Sequence, residues 1–256
     1  MAAPTPLTGR GTKVFIAQYD FSAQGRSVDI SVDQDVIDCT TFSGNAKSFI
    51  AGTLQAKVDY KGLWDKSDSL GLDAFLTSNL SIVDKAITVI PGEPAGGGVA
   101  YHGEILTTGK PLAVPFGDLV TLDASFIIDG MIGRGTILSY EGTATGAKIG
   151  TGRNLGTATS GTSGYCTTAN QELLCTMHLW EWNGSGTYTV TLQEASTDTS
   201  ASYAAVTSAV MAVSGGVTSY YYRIPGSRKS WLRAVATVQS GNATCKWVAV
   251  ATPVDK

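Results

Sequence analysis

Three acidic residues near the start of the chain are spaced closely enough to bind a metal ion. Asp33, Asp35 and Asp38 lie within six residues of one another, and their order resembles part of a calcium-binding loop. Such a loop also requires a glycine at its tight turn and a glutamate at its end. Both are missing here, so the sequence predicts a solvated acidic turn and no metal site.

The residues that most often carry catalysis are few and scattered. The two histidines, His102 and His178, each fall within a predicted strand, where a structural role is the commoner one. A glycine run over residues 92–98 lacks the Lys-Ser/Thr and helix pattern of a phosphate loop. Nucleophile elbows, His-Glu-x-x-His and paired-carboxylate motifs are also missing. The sequence therefore predicts a protein that is not an enzyme and needs no cofactor or metal.

Aromatic residues near the C-terminus suggest a different chemistry. Tyr220, Tyr221, Tyr222, Trp231 and Trp247 could form a platform that stacks on sugar rings. The same residues could instead divide between a buried and an exposed strand face. A carbohydrate- or surface-binding β-sandwich protein is thus the alternative function.

Composition limits the possible classes further. The chain has 256 residues, of which 15% are charged, with a net charge of −3 and a pI near 5.3. Abundant β-branched and aromatic residues exclude a disordered chain, and the acidic balance gives no general nucleic-acid-binding surface. The first residues predict no export signal, and no apolar run is long enough for a transmembrane helix. The four cysteines match no zinc pattern and are expected to be buried or half-buried, the pair closest in sequence being Cys166 and Cys175.

Alternating apolar residues predict strands in the first half of the chain. Leu54, Val58 and Tyr60 share one face of a strand over 49–64, and a second alternating strand over 119–128 contains Phe126. All four side chains are predicted to be buried. One short helix is expected at about 70–78. Further strands are predicted over residues 13–21, 31–37, 86–91, 99–106 and 130–138.

The second half has its own set of strands. Strands over 173–182 and 187–194 flank Asn-Gly-Ser-Gly and predict a β-hairpin. Four more strands complete a jelly-roll or immunoglobulin-like sandwich. The predicted class is therefore all-β with one short helix. Its predicted domains are 1–145 and 171–256, joined by a Gly/Thr/Ser/Ala-rich linker at 146–170.

One stretch resembles a known family. A strand ends in an Asp-x-Thr turn, a Lys-Ser-Phe-Ile-x-Gly segment follows, and the next strand closes on Leu-Trp-Asp. This order resembles that of the tail tube (major tail) proteins of long-tailed bacteriophages, especially those with an extra C-terminal β-domain. The matching residues are Asp38, Thr40, Lys47, Ser48, Phe49, Gly52, Leu54, Val58, Tyr60, Trp64 and Asp65.

The resemblance implies a structural virion protein, located in the tail and assembled in the host cytoplasm. It implies homohexameric rings, stacked helically into a tube for genome delivery, with the N-terminal arm and the loop after the long strand contacting the next ring. The implied partners are a tape-measure protein, other tail proteins and DNA that passes without specific binding. No membrane partner is expected. Lumen-lining candidates, on a face expected to be neutral or acidic, are Asp33, Asp35, Gln55, Lys57 and Asp59; the alternation leaves the opposite face equally open.

Overall fold

A computed structural model describes residues 9–40, 46–64, 72–79, 85–109, 112–113, 118–155, 171–184, 186–226, 228–238 and 243–255. These residues form sixteen strands, one α-helix and a short 3₁₀ turn at Ser200–Ser202. The predicted all-β class with one short helix is confirmed. The elements are β1 Lys13–Ile16, β2 Tyr19–Asp20, β3 Gly25–Asp38, β4 Phe49–Leu63, α1 Leu72–Asn79, β5 Lys85–Ile90, β6 Val99–Gly109, β7 Leu112–Ala113, β8 Thr121–Thr145, β9 Lys148–Ile149, β10 Arg153–Asn154, β11 Gln171–Gly184, β12 Thr187–Ala195, β13 Ala204–Ser214, β14 Thr218–Pro225, β15 Trp231–Val238 and β16 Ala243–Asp255.

Two compact units divide the described chain. The first takes its residues from 1–23, 84–103 and 133–256, and the second from 24–83 and 104–132. These limits differ from the predicted boundary, because the part of β8 after residue 133 pairs with β16 inside the first unit. Part of the predicted linker also forms β9 and β10, which both pair with β15. That residues 1–145 and 171–256 fold independently stays a prediction.

The second unit is built on β3, β4 and the first part of β8. Ile30, Val58 and Phe126 are cross-strand partners, and Val28, Tyr60 and Ala124 form the next matching row. Val58, Tyr60 and Phe126 are fully buried, as their alternation predicts. The helix buries its apolar side through Leu72, Phe75 and Leu76, which confirms the short helix expected at this point in the chain.

A two-sheet sandwich occupies much of the first unit. One sheet carries β14, β11 and β16 side by side, and the other carries β13, β12 and β15. The largest apolar cluster includes Trp247, Tyr188, Leu179 and Met211. The predicted sandwich is confirmed, but the predicted hairpin is wrong. β11 pairs on both edges, with β14 and β16, so the chain crosses to the other sheet before β12 begins.

The predicted first strand is interrupted by a tight turn. β1 and β2 pair with each other, and Ala17 in the turn between them has φ +51°. A left-handed conformation is uncommon for a residue other than glycine, so no residue type marks this turn in the sequence. β1 also pairs with β5, and its Phe15 ring lies 4.5 Å from the ring of Trp180 in β11.

A chain of buried polar groups links these strands. His178 Nδ1 lies 2.6 Å from the Ala17 carbonyl oxygen, which can only accept, so Nδ1 carries the proton. Its Nε2 then accepts from Thr88 (2.9 Å), Thr88 accepts from Thr176 (3.1 Å), and Thr176 accepts from Nδ1 of His102 (3.2 Å). This is the arrangement in which every contact holds a proton when both rings are neutral, and both are neutral near pH 7 because burial lowers the pKa of His102 to about 3 and that of His178 to about 4. The structural role predicted for both histidines agrees with this buried network.

Candidate functional surface

The residues proposed for a channel lining come together on one face of the second unit. In β3 and β4, Asp33 lies opposite Gln55, Ser31 opposite Lys57, and Asp29 opposite Asp59. β8 extends these rows, because it pairs with β4 through residues 121–127. We call this surface the polar face; its members are Ser27, Asp29, Ser31, Asp33, Gln55, Lys57, Asp59, Lys61, Asp123, Ser125 and Ile127.

The polar face is acidic and open to solvent. Its members on β3 are exposed, and those on β4 and β8 are exposed or half-buried. Its members include four aspartates and two lysines, and Arg26 borders it beside Ser27, Lys61 and Asp123, so the formal charge with that residue included is −1. The structure thus groups four of the five candidates. The fifth, Asp35, lies in the register shift between Gln34 and Val36, where its carboxylate accepts a hydrogen bond from Thr53 (3.0 Å).

Asp59 is held in its charged form at the centre of this face. Partial burial alone would raise its pKa. Hydrogen bonds from Lys57 and Ser125, together with the positive charges of Lys57 and Lys61, outweigh that effect and lower the pKa below its usual value. Lys57 Nζ lies 2.8 Å from Asp59 Oδ2. Such an exposed pair adds little stability, and its consequence is a fixed pattern of charge.

Beyond the polar face, β3 and β4 continue as a two-stranded ribbon. We call residues 34–38 and 49–54 the ribbon. Ile37 and Ile50 are direct partners, and strand alternation places Leu54 on the same side as the buried Val58. Apolar side chains of the ribbon are nevertheless more than half exposed. They are Val36, Ile37, Phe49, Ile50 and Leu54.

The prediction that Leu54 is buried is therefore wrong. Its relative exposure is 52%, whereas Val58, four residues along the same strand face, is at 0%. The alternation identified the correct face of the strand. It could not show how much of the strand is covered by other elements. β4 has fifteen residues, and its buried residues all lie in its second half.

The turn at the end of the ribbon follows the sequence motif. Asp38 accepts a hydrogen bond from the backbone of Thr40 (2.9 Å), and Thr40 accepts one from the backbone of Ser48 (3.0 Å). The bonds from Thr40 lower the pKa of Asp38, so this exposed carboxylate stays ionised. Asp65, the last residue of the motif, and residues 41–45, which lie between Thr40 and Lys47, are outside the described part of the chain.

The aromatic platform does not form as a set. Trp247 is fully buried in the sandwich, which removes it from any exposed platform. Tyr220 and Tyr222 stack with their ring centroids 5.7 Å apart, and the Tyr222 hydroxyl donates to the carbonyl of Val210 (2.6 Å). Arg223 pairs with Glu172 (2.7 Å). Of the five residues, Tyr220 is exposed, whereas Tyr221, Tyr222 and Trp231 are half-buried.

The described residues were also compared with the requirements of a metal site and of a reactive cysteine. They contain no group of three or more His, Cys, Asp or Glu side chains placed to hold a metal ion. Cys175 and Cys245 are buried and Cys39 is half-buried, as predicted, while Cys166 lies outside the described residues. Burial raises the pKa of the Cys175 thiol to about 12, so this thiol stays protonated and inert.

The fold therefore defines an all-β protein with a sandwich, an acidic sheet face and an exposed ribbon. No protein-family model matches the sequence, and neither does any curated protein. No helix among the described residues is long and apolar enough to cross a membrane.

Solved structures with some likeness come from phage or phage-like particles. A chain in the tail of an empty gene transfer agent particle, solved with C6 symmetry, has TM-score 0.36 and 16% identity, over 43% of this chain and 81% of that one. A chain of the native gene transfer agent virion has TM-score 0.38 and 14% identity, over 50% and 97%. The Dit protein of phage SPP1, a hub of its adsorption apparatus, has TM-score 0.34 and 9% identity, over 95% and 99%. These scores are too low to carry an argument about this chain.

Proposed function

We propose that this protein is a structural component of a phage tail, which assembles with copies of itself into stacked hexameric rings that form the tail tube. The observation that carries the proposal is the outer edge of β3. Within the described residues, this fourteen-residue strand pairs with β4 alone. Its side chains are exposed along its length, apart from the half-buried Val28 and Ile30.

An edge of this length offers a surface on which another strand can pair. Its unpaired backbone N–H and C=O groups form a template for another strand, and soluble monomers usually shorten, cover or interrupt such edges. Pairing with a sheet of a neighbouring subunit would satisfy these groups. When such a head-to-tail contact closes on itself, it produces a ring. The ribbon and the N-terminal arm then remain for contacts between successive rings.

The polar face suits the wall of a channel for DNA. Binding to DNA depends mainly on cations that neutralise phosphates and release counterions. A face with four aspartates, two lysines and Arg26 at its border offers no excess of cations, and its net charge of −1 repels the phosphates. DNA could then pass through a lumen lined by Asp33, Gln55, Lys57 and Asp59, with Asp35 near its rim, without specific binding.

The remaining features of the proposal follow the sequence resemblance. The protein would be part of the virion, assembled in the host cytoplasm, with a tape-measure protein and other tail proteins as partners. No enzymatic activity, cofactor or membrane partner is proposed. Residues 171–256 would fold as a domain that projects from the outside of the tube.

Thiol labelling of assembled tubes tests the position of the polar face. In a Cys39→Ser, Cys166→Ser background, we expect Asp33→Cys and Gln55→Cys to react with a bulky maleimide as free subunits and to be protected in tubes. Val217→Cys, in the proposed outer domain, serves as the control and should react in both states. Rapid labelling of Asp33→Cys and Gln55→Cys along the whole tube would place them outside and contradict the proposed lumen.

A further inference from the structure

The first unit contains a cleft that no sequence motif marks. Its volume is about 580 Å³, and its walls are largely apolar, including Ile90, Val99 and Ile137. Arg10 and Arg134 bring two positive charges to it, against the single negative charge of Glu93. We call it the arginine cleft.

Neither arginine has an ionic partner in the described part of the chain. Arg10 and Arg134 are both exposed, and the ion pairs of the described residues involve other cations. An apolar pocket bordered by unpaired guanidinium groups is suited to a ligand that combines apolar side chains with carboxylates.

The ribbon of the second unit has those properties. It exposes five large apolar side chains, and residues 34–38 and 49–54 contain two aspartates and no lysine or arginine. Asp38 lies next to Ile37 on β3, and its carboxylate stays ionised because the bonds from Thr40 lower its pKa. The two surfaces are therefore complementary in both polarity and charge.

From this complementarity we propose that the ribbon of one copy docks into the arginine cleft of a second copy, with Arg10 and Arg134 meeting Asp35 and Asp38, which strand alternation places on opposite faces of the ribbon. The contact joins two different surfaces of the same chain, so it can repeat from copy to copy. It rests on the proposed tube assembly and deepens it, because it names the contact that would join one ring to the next.

A matched pair of cysteine variants tests the contact. Cys39 is the native thiol at the end of the ribbon, and in a Cys166→Ser background it is the accessible cysteine among the described residues. Val99→Cys adds a thiol at the cleft, and Val217→Cys adds one elsewhere at the same exposure, 37% for both valines. Under mild oxidation of the assembled protein, we expect Cys39 of one copy to crosslink to the new thiol at position 99 of another about tenfold faster than to the new thiol at position 217. The reason is that docking raises the effective concentration of the two thiols.

A charge exchange tests the ionic part. The double variant Arg10→Glu, Arg134→Glu should lose the preferential crosslink, and adding Asp35→Lys and Asp38→Lys should restore it. Restoration separates a specific contact from simple loss of folding. Equal crosslinking at positions 99 and 217, or no crosslinking at either, would overturn the docking proposal.

Imaging the same samples separates this inference from the proposed function. Rings or tubes that show no preference for position 99 would refute the docking contact and leave the tube proposal intact. A preferential crosslink in a protein that never forms rings would support the contact and refute the tube. A protein that neither crosslinks nor forms rings would refute both.

Discussion

Replacing Val58 by aspartate abolishes folding of the second unit. Val58 is fully buried between its cross-strand partners Ile30 and Phe126, so the new carboxylate would lose its water without gaining a partner. The expected cost is several kcal/mol, which is comparable to the whole stability of a typical domain. The measurement is the yield of soluble protein together with its thermal unfolding.

Leu54→Asp is the matched control for this prediction. Leu54 lies on the same face of the same strand and is 52% exposed, so the change in the free energy of unfolding should stay within about 0.5 kcal/mol. A soluble, fully folded Val58→Asp protein would contradict the strand assignment. Equal loss of folding in both variants would contradict the exposure of the ribbon.

Acidification below about pH 6.5 destabilises the first unit through its two buried histidines. Burial lowers the pKa of His102 to about 3, with the charge of His178 adding to the effect. Burial also lowers the pKa of His178 to about 4, although its bond to Ala17 opposes this. Unfolding returns each pKa to about 6.5. Between the unfolded pKa of about 6.5 and the folded values of about 3 and about 4, the unfolded state binds more protons than the folded state. The free energy of unfolding therefore falls as the pH falls through this range.

The slope of this loss is the quantity to measure. Each histidine contributes up to about 1.4 kcal/mol per pH unit to the free energy of unfolding. Denaturant unfolding of the wild type and of His178→Gln, at steps from about pH 7 to about pH 4, should show a shallower slope for the variant, because one of the two titrating groups is gone. The difference between the two slopes cancels the contribution of the carboxylates that both proteins share. Identical slopes would mean that His178 is protonated in the folded protein and would contradict the directed hydrogen-bond chain.

Alternation of apolar residues was enough to locate most strands and one core. Val58, Tyr60 and Phe126 are buried as their spacing predicts, because a strand with one covered face carries its apolar residues at every second position. The same pattern failed at Leu54, since periodicity reports the face of a strand and not the extent of the layer above it.

Pairing partners could not be obtained from local signals. The Asn-Gly-Ser-Gly segment after β11 has the composition of a hairpin turn, yet β11 is a central strand whose two edges are occupied by β14 and β16. Ala17 reverses the chain without a glycine or asparagine to mark the turn. The arginine cleft combines residues from positions 10, 90–99 and 134, a set that only the folded chain brings together.

The polar face could be predicted only in part, because some of its members are joined by strand pairing that local signals do not give. Asp33, Gln55, Lys57 and Asp59 belong together by alternation once β3 and β4 are paired. Asp123 and Ser125 join them only through the pairing of β4 with β8, which local periodicity does not specify. Asp35 has no single cross-strand partner, because residues 52 and 53 of β4 both lie opposite it at the register shift.

Electron microscopy of the purified protein tests the central proposal most directly. If the long edge of β3 pairs with a neighbouring subunit, the protein should form six-fold rings or stacked tubes with an open central channel. A protein that remains monomeric at every concentration and salt condition would contradict the account, because the exposed edge of β3 would then need no partner.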